Sequence, residues 1–188
     1  EAREVVALKP YRVYAEDPGN ADIIDYFPES QMEAADSLGL AVVLHLSKFE
    51  GPADPQNLKD LTEFARKYPN ITWILAHCAR AFNPVFLEES IHVLKDLPSL
   101  WVDTSAVNDC YTHYLLFKHF NRKRILFGTD NVCAGGARGK YITYAYAWEG
   151  YHGQEYLEHC DPRTTLVVYE QLRSQKQAAE MAGLTETE

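Results

Sequence analysis

Two hydrophobic patterns alternate along the chain. Short runs in which nearly every position is apolar are separated by longer stretches in which apolar residues recur every third or fourth position. The short runs, over residues 4–9, 40–46, 71–76, 100–104 and 124–127, read as strands, and the continuous ones as strands buried on both faces. Pro10 stops the first of them, because it has no backbone donor with which to continue a ladder. The spaced stretches read as helices. In residues 28–38 Met32, Ala35 and Leu38 share a face, and Gly39 stands where a C-terminal cap belongs. In residues 55–68 the stripe is Leu58, Leu61, Phe64 and Ala65, with Asp54 as N-cap. A helix over 84–97 opens on Pro84, and another covers 109–120. Two further helical stretches are expected at 140–148 and 162–181. Strands thus alternate with helices at intervals of roughly 30 residues, the rhythm of right-handed βαβ crossovers. Two architectures have this rhythm, a five-stranded doubly wound sheet and the later part of an eight-stranded barrel.

The polar residues favour one of them. Lys9, His45, His77 and Asp103 end four of the strands, and Asp130 lies just beyond the fifth. A buried ionisable group must be hydrogen-bonded or paired, so an apolar strand gains nothing by ending on one. In a barrel all strand C-termini open onto one face and such residues converge; in an open sheet they are strung along an edge. Convergence favours the barrel.

Four segments carry a resemblance: Leu44-His45-Leu46-Ser47, Ile74-Leu75-Ala76-His77-Cys78, Trp101-Val102-Asp103-Thr104-Ser105, and Ile125-Leu126-Phe127-Gly128-Thr129-Asp130. In order and spacing they resemble strand-end motifs of the amidohydrolase superfamily, in its branch of metal-dependent hydrolases, lactonases and decarboxylases. The resemblance covers roughly residues 4–135. It implies a TIM-like (β/α)8 barrel of which these are the fifth to eighth strand ends, with residues 1–188 forming about the last five β/α units of a partial barrel domain. The family's first strand supplies an H-x-H ligand pair and this sequence contains none, so the expectation is that the N-terminal strands lie outside this chain.

The roles implied are specific. His45 is a ligand of a divalent metal, taken as zinc; His77 is a second ligand or a catalytic group; Asp130 binds the metal and acts as general base. Neutral imidazoles and a carboxylate are the donors such an ion takes, leaving a position open for water. Asp103 caps the following helix or orients a ligand histidine from behind. Arg80 and Lys9 are the candidate contacts for a substrate carboxylate, Arg80 by its bidentate fork. The expected activity is metal-dependent hydrolysis of a small carboxylate-bearing substrate. The alternatives are nonoxidative decarboxylation on the same scaffold, or a non-catalytic α/β module that binds a ligand through its strand-end loops.

The remaining features change this picture little. His92, His113 and His119 sit on helices and read as surface or packing residues. His152 and His159 have no strand-end placement, and the aromatic stretch Tyr141, Tyr144, Tyr146 and Trp148 reads as core or lid packing. The run from Ala134 to Lys140 resembles a phosphate-cradling loop, but Tyr141 stands where a magnesium-binding hydroxyl belongs, so a simpler anion contact is expected. The net charge of −9 argues against a nucleic-acid partner. No apolar run approaches the roughly 20 residues of a membrane span. Cys78, Cys110, Cys133 and Cys160 form no C-x-x-C pair and fit reduced thiols in the cytoplasm. A small-molecule substrate is the expected partner; homo-oligomer formation is left open.

Overall fold

A computed structural model describes residues 5–130, 138–139, 142–144, 147–149 and 165–185. The five apolar runs form β1 (Ala7–Leu8), β2 (Ala41–Leu44), β3 (Thr72–Leu75), β4 (Leu100–Asp103) and β5 (Ile125–Leu126). They pair in parallel, in the order β1-β2-β3-β4-β5. A doubly wound sheet reverses its strand order at a switch point, whereas a barrel adds each strand beside the last. The unbroken order is that of a partial (β/α) barrel.

Register sorts the side chains into two faces. Val42, Trp73 and Leu100 are neighbours across the sheet, as are Leu44, Leu75 and Val102, and all six are buried. The intervening row of Val43, Ile74 and Trp101 is half-buried. Strand positions alternate sides, so His45 and Asp103 continue the half-buried row while the helices cover the other. Continuous apolar runs led to the expectation of two fully buried faces; one face is less covered than that.

Four of the expected helices form where their signals lie, joined by two short ones that carried no signal. They are α1 (Ile23–Tyr26), α2 (Glu29–Leu38), α3 (Pro55–Lys67), the single turn α4 (Ala76–Arg80), α5 (Pro84–Leu94), α6 (Cys110–His119) and α7 (Val167–Met181). At the end of α2, Gly39 adopts φ 59°, and the amide of Leu40 reaches back to the Ala35 carbonyl at 3.0 Å. Asp54 and Asp109 cap α3 and α6 by accepting from the amides of Asn57 and Thr112. Leu61 and Phe64 of α3, Leu87 and Leu94 of α5, and Leu116 of α6 join the strand residues in one apolar core. The long α7 straps the end of the sheet: buried Gln171 donates to the carbonyls of Thr104 at 2.8 Å and Gly128 at 2.7 Å, just beyond β4 and β5.

The helix expected at 140–148 is corrected. Here β7 (Ile142–Tyr144) and β8 (Ala147–Glu149) form an antiparallel ribbon, and β6 (Arg138–Gly139) pairs with β9 (Thr165–Leu166), so the last helix starts only at Val167. The stretch is dense in β-branched and aromatic residues, which suit a pleated surface whatever their periodicity. Ala134 to Ala137, Lys140, Tyr141, Tyr146, His152, His159, Cys133 and Cys160 lie outside the described residues. Among those described, no helix is long and apolar enough to cross a membrane.

His92 and His119 are exposed, whereas His113 is fully buried between α6 and α7. The Ser174 hydroxyl donates to the Gln171 carbonyl, so the His113 Nδ1–H donates to Ser174 Oγ at 3.0 Å. Burial lowers the His113 pKa to about 4, from an unfolded value of about 6.5. A depressed folded pKa contributes stability above pH 6.5 that is lost as pH falls toward 4, by at most about 1.4 kcal/mol per pH unit. Urea midpoints for the wild type and His113→Gln should therefore converge as pH falls through that window; parallel curves would contradict it.

Candidate active site

His45 leaves β2 with its ring turned onto its own chain: Nδ1 lies 2.9 Å from the Leu46 carbonyl. A carbonyl only accepts, so Nδ1 carries the proton and Nε2 keeps its lone pair. The Tyr26 hydroxyl donates to the His45 carbonyl at 3.3 Å and holds the backbone from the other side. Burial, and then the charges of His77, Arg12 and Arg80, lower the His45 pKa to about 3. The ring is neutral throughout the physiological range.

His77 is fixed in the same tautomer by different means. Its Nδ1 lies 3.0 Å from the Ser105 carbonyl and 2.9 Å from Ser105 Oγ. The Ser105 hydroxyl hydrogen is already given to Asp103 Oδ1, so Nδ1–H is the donor to both. Asp103 Oδ1 also accepts from the amides of His77 at 3.0 Å and Ser105 at 2.9 Å. Phe82 stacks on the imidazole, with ring centroids 5.8 Å apart. His77 is thus held from one flank by an aromatic face and from behind by a carboxylate–hydroxyl chain.

The two rings meet edge to face, with centroids 5.0 Å apart. Two imidazoles on one tetrahedral ion, at metal–nitrogen distances of about 2.0–2.1 Å, place their ring centres roughly 5 Å apart. Ligand type, tautomer and separation therefore fit a shared divalent ion. Asp130 lies past β5, half-buried, in left-handed backbone with φ 51°. The structure brings His45, His77 and Asp103 together, with Asp103 behind His77. Among the described residues no three His, Cys, Asp or Glu side chains form one metal-holding group.

Arg80 turns its guanidinium onto the Lys48 carbonyl, and burial, with Arg12 nearby, lowers its pKa to about 10. Lys9 is exposed, its ammonium 5.1 Å from the centre of the Tyr11 ring. Strand-end reasoning missed Ser105, Tyr26 and Arg12. Ser105 had a legible signal, standing two residues past Asp103 in the same motif. Tyr26 and Arg12 lie in segments without a strand, where periodicity marks nothing. Cys78 and Cys110 are free thiols.

The backbone at this rim is strained. His77, Cys78, Ala79 and Arg80 all adopt left-handed conformations, with φ between 53° and 63°, at a cost of roughly 1–2 kcal/mol per non-glycine residue. Gly51 packs against the turn: a side chain there would meet the Arg80 carbonyl oxygen at 3.2 Å. Ala79→Gly should relieve one residue's strain and raise stability by about 1 kcal/mol, read as a higher urea midpoint. A lower midpoint would argue against a left-handed turn.

A family model described as amidohydrolase matches residues 9–162. No curated protein matches the chain. Among solved structures, the chain is similar to 4-oxalomesaconate hydratase, LigJ, from Rhodopseudomonas palustris, at 17% identity and a TM-score of 0.45. The match covers 65% of this chain and 40% of that one, so the chain spans less than half the length of that relative.

Proposed function

The chain belongs to the amidohydrolase family, and from that premise we propose that it provides the histidine pair and general base of a metal-dependent hydrolase acting on a small carboxylate-bearing substrate. The observation that carries this reading is the pair of imidazoles, each with Nδ1–H bonded to a backbone carbonyl, at a ring separation of 5.0 Å. His45 and His77 would hold a divalent ion, zinc by ligand preference, through Nε2, and Asp130 would complete the protein's share of ligands. When bound, the ion supplies Lewis acidity and lowers the pKa of water toward neutrality.

The chain's own residues do the rest. Asp103 and Ser105 hold the His77 ring at a fixed angle with Nδ1–H as the donor, which would leave Nε2 for the ion. Phe82 covers one ring face and keeps water from it. Asp130 is the carboxylate assigned to receive the proton of the attacking water, and Arg80 the cation assigned to orient the substrate carboxylate.

The test is metal content and competition titration of the full chain after equilibration with zinc, with circular dichroism as the folding control. Wild type should retain about one ion per chain, while His45→Ala and His77→Ala should remain folded and bind zinc more than about tenfold more weakly. A folded wild type without stoichiometric metal, or variants that bind as well as wild type, would overturn the metalloenzyme reading.

A further inference from the structure

Where β2 ends, three cations gather, and among the described residues only one of them has anionic partners. Lys48 pairs with Asp22 at 2.6 Å and Asp54 at 3.4 Å. Three other carboxylates of these segments already accept hydrogen bonds. Asp25 accepts from the Asp22 amide, Asp17 from Gly19 and Asn20, and Asp60 from Gln56. Arg12 and Arg80 each donate to a single backbone carbonyl, of Pro18 and Lys48 respectively. Among the described residues neither guanidinium forms an ion pair.

The two arginines are braced on one small frame. The Lys48 amide donates to the Gly19 carbonyl at 2.9 Å, and the Ser47 hydroxyl donates to the same Pro18 carbonyl that receives Arg12, at 3.0 Å. This clamps the 18–19 loop onto the 47–48 segment, immediately past His45, with one arginine anchored on each strand of the clamp. Each guanidinium carries five N–H donors in a planar fork and spends one here, so most of each fork remains for a ligand. Both side chains are half-buried rather than enclosed and stay within a solute's reach. A partly desolvated cation without a counter-charge is costly, and an anion between two of them removes that cost. Burial of Arg80 beside Arg12, which lowers its pKa to about 10, reflects the same missing charge.

We propose that Arg12 and Arg80 form a paired-guanidinium site beside His45 that selects a substrate bearing two carboxylates, one for each fork. This deepens the hydrolase reading above and rests on it for the adjacency of the site to the reaction centre. Two planar forks suit two planar carboxylates, each met by a pair of parallel hydrogen bonds. Arg12 is then a specificity-determining residue, binding the carboxylate that Arg80 does not.

Calorimetric titration of the metal-free full chain with malonate, succinate, acetate and inorganic phosphate tests this. A dicarboxylate should bind at least about tenfold more tightly than acetate, and Arg12→Gln and Arg80→Gln should each weaken it by about tenfold or more. Arg12→Lys, which keeps the charge but loses the fork, should fall between wild type and Arg12→Gln, with unchanged circular dichroism spectra throughout. Equal affinity for acetate and the dicarboxylates, tighter binding of phosphate than of either dicarboxylate, or a folded Arg12→Gln that binds as wild type would each overturn the proposal. Because no metal is present in the titration, failure of the metal reading leaves this result unchanged. Arg12→Gln should also retain zinc as wild type does, which separates the anion site from the histidine pair.

Discussion

One carboxylate oxygen, Oδ1 of Asp103, ties the end of β3 to the end of β4. It accepts from the His77 amide, the Ser105 amide and the Ser105 hydroxyl. Hydrogen bonds to a charged group contribute roughly 1.5–3 kcal/mol each. Four consecutive left-handed residues cost roughly 1–2 kcal/mol each. One of these bonds holds the first residue of the strained turn that carries His77 and Arg80, and the other two fix Ser105 behind its ring. The same contacts choose the tautomer of His77. Asp103 reaches this position because the parallel register places Val102 beside Leu75 and brings both strand ends to one rim.

Electrostatics at the rim follow from that geometry. His45 and His77 stand edge to face, with Arg12 and Arg80 close enough for their charges to act on His45. Burial, and then the further positive charge it would add among these groups, keep the His45 imidazole neutral, so that it offers a lone pair. Neutral imidazoles are what a metal requires, and uncompensated guanidiniums are what an anion requires. A single distribution of charge thus serves both proposed sites. Lys48 differs only in having Asp22 and Asp54 within reach, which makes it a structural cation.

Much of this was legible in the chain, and the failures have physical causes. Strand and helix positions followed from periodicity together with caps such as Gly39, Asp54 and Asp109, since these obey local rules. The strand-end placement of His45, His77 and Asp103 was legible because a buried strand has no other use for them. The ribbon at residues 142–149 was not, because helical spacing and aromatic-rich strand composition coincide there. Ser105 as a partner of His77 depends on a contact across 28 residues, and the Arg12–Arg80 pairing on a clamp between two loops. Neither leaves a periodic mark. The left-handed turn was hidden by its composition: Cys78, Ala79 and Arg80 occupy a conformation that glycine ordinarily signals.

The central claim is that His45 and His77 bind one ion together through Nε2. X-ray absorption spectroscopy of the zinc-loaded full chain tests it most directly, because the outer-shell scattering of imidazole rings counts histidine ligands around the metal. Two imidazoles with metal–nitrogen distances of about 2.0–2.1 Å are expected in the wild type, falling to one in either alanine variant at saturating zinc. A wild-type spectrum without histidine scattering, or one unchanged by both substitutions, would contradict it.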